Sequence, residues 1–139
     1  MAIVIARTFS GQPVAFEVDG RPIESDAVNA AEVAIGGATG SAKAAASGAV
    51  TLNNATAGVI TSETLSTAAA AIYTLTLTSN LILAGSVVFA SVALGTSTTG
   101  DPIITQVAPA AGSVVIKVKN DHASAALNGT IKIGFAIYQ

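Results

Sequence analysis

A chain of 139 residues can enclose one hydrophobic core but not two. Apolar residues make up 51% of it, charged residues only 10% against a norm of about a quarter, and aromatics 4%. A mean hydropathy of +0.66 with a formal charge of -2 excludes a disordered tail. Six basic residues scattered among eight acids cannot neutralise a run of phosphates, so no nucleic-acid partner is expected.

Without cysteine there is neither a disulfide framework nor a zinc-thiolate site, and packing alone must hold the fold. The short apolar stretch from Ala2 to Ala6 is followed, not preceded, by Arg7. No secretory leader is therefore expected, and the chain is expected to be made in the cytoplasm. The apolar stretch from Leu81 to Leu94 falls short of the roughly 20 residues of a helical span and has no flanking Lys or Arg, so no membrane partner is expected.

In chain order, Asp19-Gly20 tolerates the positive φ angles of a tight turn and predicts a hairpin between Pro13 to Val18 and Arg21 to Ile23. Ser25 could cap a short helix presenting Ala27, Val28, Ala31, Ala34 and Ile35 on one face, with Gly36 ending it. The stretch from Gly36 to Gly48 has few side chains to bury and reads as a linker or arm. Residues 1–48 are accordingly expected to form a hairpin and an Ala/Gly-rich arm, and residues 49–139 a separate domain.

From residue 49 the signal is β. Segments rich in Val, Ile and Thr predict seven strands, over Ala49 to Leu52, Ala57 to Thr61, Ala71 to Thr78, Ser86 to Leu94, Ile103 to Val107, Ser113 to Lys119 and Thr130 to Tyr138. Ile131, Ile133, Phe135 and Ile137 alternate with polar or small residues, as do Val114, Ile116 and Val118. Tyr73, Leu75 and Leu77 alternate with Thr74, Thr76 and Thr78, a polar face of hydroxyls. Val87 to Leu94 is apolar on both faces and is expected either centrally in a sandwich or against another chain. No long helix intervenes, which predicts an all-β, antiparallel sandwich of jelly-roll or related Greek-key type. Glu63 is the sole charged residue from Ala49 to Gly100, so the surface is expected to be covered by further copies in a closed homo-oligomer.

The run from Thr56 to Tyr138, with GVITSETL ahead of the strand IYTLTLT, the hairpin APAAGSVVIKVKN and the closing HASAALNGTIKIGF, resembles small virion proteins of tailed bacteriophages. The resemblance implies a jelly-roll capsid cement or decoration protein. It would be a non-enzymatic virion component that sits as a homotrimer on the capsid exterior, with the major capsid protein as partner. Head-fibre and tail-fibre domains are also similar, so host-receptor binding is the alternative it leaves open. The first 48 residues lie outside the resemblance.

No residue stands out as catalytic, cofactor-binding or metal-ligating, and no cofactor or small-molecule substrate is expected. His122 beside Asp121 has no second His or Cys to complete a metal or acid-base site and reads as a turn or interface residue. No G-x-S-x-G elbow frames any serine. Glu17 with Asp19, and Glu24 with Asp26, lack calcium-loop spacing and read as solvated charges or contacts to a basic surface. Gly36, Gly37 and Gly40 are not followed by the Lys-Ser/Thr of a phosphate loop. Tyr73 and Tyr138 could stack on sugars, but their strand positions favour core or intersubunit packing.

Overall fold

The computed structural model describes residues 3–5, 16–18, 21–23 and 38–139, and the chain divides into two units, Met1–Gly37 and Ala38–Gln139. In the first unit β1 (Ile3–Ile5), β2 (Phe16–Val18) and β3 (Arg21–Ile23) form an antiparallel sheet in that order. Val18 pairs with Arg21, so β2 and β3 flank the Asp19-Gly20 dipeptide. The helix expected after Ser25 falls outside the described residues.

The second unit contains β4 (Thr39–Lys43), a 3-10 turn (Ala46–Gly48), β5 (Ala49–Thr51), β6 (Ala57–Thr61), β7 (Leu65–Thr67), β8 (Ile72–Thr78), β9 (Val87–Leu94), β10 (Pro102–Ala110), β11 (Ser113–Asn120), β12 (Leu127–Gly129) and β13 (Ile131–Tyr138). Two four-stranded sheets, ordered β10-β11-β8-β5 and β4-β6-β13-β9, pack as an all-β sandwich, and β7 and β12 form a separate antiparallel pair. All seven strands expected from residue 49 onward are present.

Alternation fills the space between the sheets. Leu75 and Leu77 from β8, Val114, Ile116 and Val118 from β11, and Ile131 and Ile133 from β13 are essentially inaccessible to water. Each inward side chain of this size contributes roughly 1.5–3 kcal/mol through burial. Because side chains alternate along a strand, the same residues fix the pairing register: a slip by one would turn every isoleucine of β13 into solvent.

Three expectations need correction. The second unit begins at Ala38, so the arm expected to reach Gly48 gives way to strand β4. Its small residues serve close approach: a side chain at Gly58 would collide with the Gly40 carbonyl across the β4–β6 pair, and one at Gly40 would press on Leu52. Nor is the sandwich wholly antiparallel, since β4 pairs with β6 and β5 with β8 in parallel. A hairpin cannot join parallel neighbours, and here the crossover from β4 to β6 passes through β5 in the opposite sheet. Finally, of the two places expected for the strand apolar on both faces, the central one is excluded, because β9 is an edge strand.

Loops at one end converge on Asn120, which is completely buried. Its side-chain amide donates to the carbonyls of Thr67, Ala68 and Ala125 at 3.1, 3.2 and 2.9 Å, while its oxygen accepts from the backbone N–H of Asp101 at 3.0 Å. One side chain thereby ties together three connections distant in sequence. Asn120→Ala would leave these backbone groups unpaired in a dry site and should cost roughly 3 kcal/mol or more. Asn120→Asp, which removes the donors and keeps the size, should be equally damaging; urea unfolding of both variants against wild type checks this.

Candidate functional site

The two outer faces of the sandwich differ in chemistry. On the β10-β11-β8-β5 sheet, Thr74 lies opposite Lys117, Thr78 opposite Ser113 and Thr51 beside Thr78, a face of hydroxyls and ammonium groups interrupted by the exposed Ile72 and Ile103 on either side of Lys119. On the β4-β6-β13-β9 sheet, pairing assembles Ser41, Val59, Gly134 and Ser91 into one cross-strand row and Thr39, Ala57, Ala136 and Phe89 into the next. Tyr138 and Val87 extend the face, and the Lys43–Thr61–Lys132–Ala93 row bounds it at the other end.

This second face is a shallow groove of about 840 Å³, floored by Gly134, Ala136 and Ala57 and walled by Phe89 and Ser91 on one side and Thr39 and Ser41 on the other. The floor is low because its residues carry one methyl group or none. Phe89 is 63% exposed and Tyr138 60%, their rings 5.4 Å apart at 79°, an edge-to-face pair. Val87 and Val59 add exposed aliphatic surface. No charged residue lines the groove. It can cover and be covered, but it offers no nucleophile, acid or base.

The sequence candidates fall elsewhere. Tyr73 is buried, and its hydroxyl donates to Glu63 Oε2 at 2.7 Å, while Glu63 Oε1 accepts from the N–H of Gly48 at 2.9 Å. The carboxylate thus clasps the 3-10 turn to β8. Gly48 adopts φ +70° against the Thr74 carbonyl, where no side chain fits. Burial, then the hydrogen bond from Tyr73 to Glu63 and the charge of that carboxylate, hold the Tyr73 phenol well above its ordinary range. Tyr73 and Tyr138 do not meet: one packs the core and the other lies on the exposed face, so they form no joint stacking platform.

His122 closes its own loop, its Nδ1 accepting from the N–H groups of Ser124 at 3.1 Å and Ala125 at 2.8 Å. Asp121 pairs with Lys119 at 2.7 Å on the surface. Gly40 lies in β4. Glu17 lies in β2, while Asp19, Glu24, Asp26, Gly36 and Gly37 fall outside the described residues. Among the described residues no group of three or more histidine and carboxylate side chains gathers as a metal would require, and no helix is long and apolar enough to cross a membrane.

Sequence reading missed the groove because its floor is defined by neighbours across strands. Its one visible signal was the outward apolar row of β9. No family model, curated protein or solved structure matches this chain.

The clasp predicts an alkaline limit to stability. Folding raises the Tyr73 phenol, so its contribution is complete below about pH 10, where the unfolded chain's phenol is also neutral. The contribution then declines as pH rises from there toward the folded value. Tyr73→Phe should cost about 1 kcal/mol at neutral pH and abolish that alkaline decline. Denaturant unfolding at pH 7 and above pH 10 measures both effects.

Proposed function

We propose that this chain is a structural component of a tailed-bacteriophage virion, a cement or decoration protein that binds the capsid exterior as a homo-oligomer and strengthens it without chemistry. The observation that carries this reading is the concave outer face of β4-β6-β13-β9, whose groove is lined by no charged residue and carries the exposed Phe89 and Val59, with Lys43 and Lys132 only at its far end. The resemblance of residues 56–138 to such virion proteins adds its own support.

Magnitudes favour many weak contacts. Four strands about 4.8 Å apart and some seven residues of about 3.3 Å each give a face of roughly 450 Å². At about 25 cal/mol per Å², covering a wholly apolar face of that size would supply roughly 10 kcal/mol. Association itself costs about 4–15 kcal/mol. One face therefore comes close to breaking even, and an oligomer engaging several lattice sites at once gains the rest through effective concentration. Contacts that only the assembled shell presents favour that state by mass action.

Particles of the virus encoding this chain provide the test. Cement should be present in many copies, in fixed ratio to the major capsid protein, and particles lacking it should release DNA at lower temperature. A few copies per particle together with adsorption to host cells would instead mark a receptor-binding fibre head and overturn the cement reading. Phe89→Glu and Val59→Glu place a charge on the exposed face. Each should lower folding stability by only about 1 kcal/mol, for Phe89 through loss of its edge-to-face contact with Tyr138, while lowering occupancy on particles at least tenfold, read by quantitative mass spectrometry of purified particles.

A further inference from the structure

Among the described residues the two sheets have four edges without a paired strand, and three of them are guarded against pairing. β4 has five residues and ends in Lys43, and β5 has only three. β10 carries Pro102 and Pro109 near its ends and a register shift between Ile104 and Gln106. Shortness, lysine, proline and bulges are the usual means of blocking an edge. β9 has none of them: Val87–Leu94 runs eight residues in unbroken register with β13, without a charge or a proline.

Alternation identifies the backbone groups that β9 leaves open. Ile137 N–H donates to Thr56 O, so the odd-numbered residues of β13 bond toward β6 and the even-numbered ones toward β9. Gly95 N–H donates to Thr130 O, so the odd-numbered residues of β9 bond toward β13. The N–H and C=O groups of Val88, Ala90, Val92 and Leu94 therefore point to the free edge. β10 packs alongside β9 across the seam of the sandwich without a hydrogen-bonded pairing, so the backbone groups on that side of β9 have no strand partner among the described residues. The inward side chains of Ala90 and Val92 are only partly buried there.

We propose that β9 pairs antiparallel with β9 of a second copy about a two-fold axis at Ser91, joining two four-stranded sheets into one of eight strands. This rests on the reading above that the chain works as an assembled homo-oligomer, and it departs from the homotrimer that the resemblance implies by giving the copies a two-fold axis. Three features of β9 select a second copy as occupant. With Ser91 opposite itself, Val88 meets Leu94 and Ala90 meets Val92, so every open backbone group finds a partner. On the outer face Phe89 meets Ala93 and Val87 meets Gly95, each large side chain opposite a small one. On the inner face Ala90 and Val92 of each copy cover those of the other, and no like charges are brought together.

Sedimentation of the full-length protein tests this. Wild type should sediment as a dimer or an even multiple of the chain. Ser91→Lys, which sets two ammonium groups face to face at the axis, should sediment at half that mass with an unchanged far-ultraviolet spectrum. Ala90→Pro, which removes an outward N–H and leaves the β13 ladder intact, should do the same; if it fails to fold, Ser91→Lys alone decides. The amides of Val88, Ala90 and Val92 should be protected from hydrogen exchange in wild type and lose that protection in Ser91→Lys. A trimeric or single-chain wild type, or a Ser91→Lys protein of unchanged mass, overturns the pairing. A dimer that is absent from virions would leave the pairing standing and sink only the cement reading.

Discussion

The fold depends on one constraint: β8, β11 and β13 must each present an unbroken inward row of aliphatic side chains with period two. Tyr73, Leu75 and Leu77 on one layer and Ile131, Ile133, Phe135 and Ile137 on the other, with Val114, Ile116 and Val118 beside the first, close a core that excludes water. The outward rows follow from that choice, since a residue not turned in must be turned out. Hence Thr74, Thr76 and Thr78 make one surface hydroxylated, while Gly134 and Ala136 make the other hollow. The molecule's two outer faces are the reverse sides of its core.

Much of the fold was legible because alternation is a local signal. Ile131 to Tyr138 and Ser113 to Lys119 each announce a strand, a face and a buried set without reference to any neighbour. Elements that depend on distant partners were not legible. β4 is written in Thr, Gly, Ser, Ala and Lys, a composition shared with linkers, and becomes a strand only because Gly58 lets it approach β6. β7 and β12 are three-residue strands that exist through each other. The parallel direction of β4 and β5 also left no local mark, because it is set by which sheet the chain enters after the turn at Ala46–Gly48.

The outer groove was legible only in part. An apolar strand with no wet face was visible in Val87 to Leu94, but its place at a sheet edge was not. The groove floor is drawn from β6 and β13, strands far apart in sequence. Polar residues at the loop ends were equally silent. Nothing local marks Asn120 as the side chain that satisfies three separate loops, nor Asn128 as the acceptor for the N–H groups of Thr98 and Thr99 at 3.0 and 3.2 Å. Their roles are set by the backbone groups left unpaired where strands stop, a property of the assembled fold.

The direction of β4 also governs how the β-domain bears mechanical load. Thr39 lies beside Ala57, and Ala57 opposite Ala136, so the chain enters β4 and leaves β13 at the same end of one sheet, two strand spacings or about 10 Å apart. Tension drawn through these two attachments would act across the ladder and open it like a zip, rung after rung. Squeezing the layers together would instead be met by the whole of the packed interior at once. Such a body yields when tugged from its tethers and stays stiff when pressed.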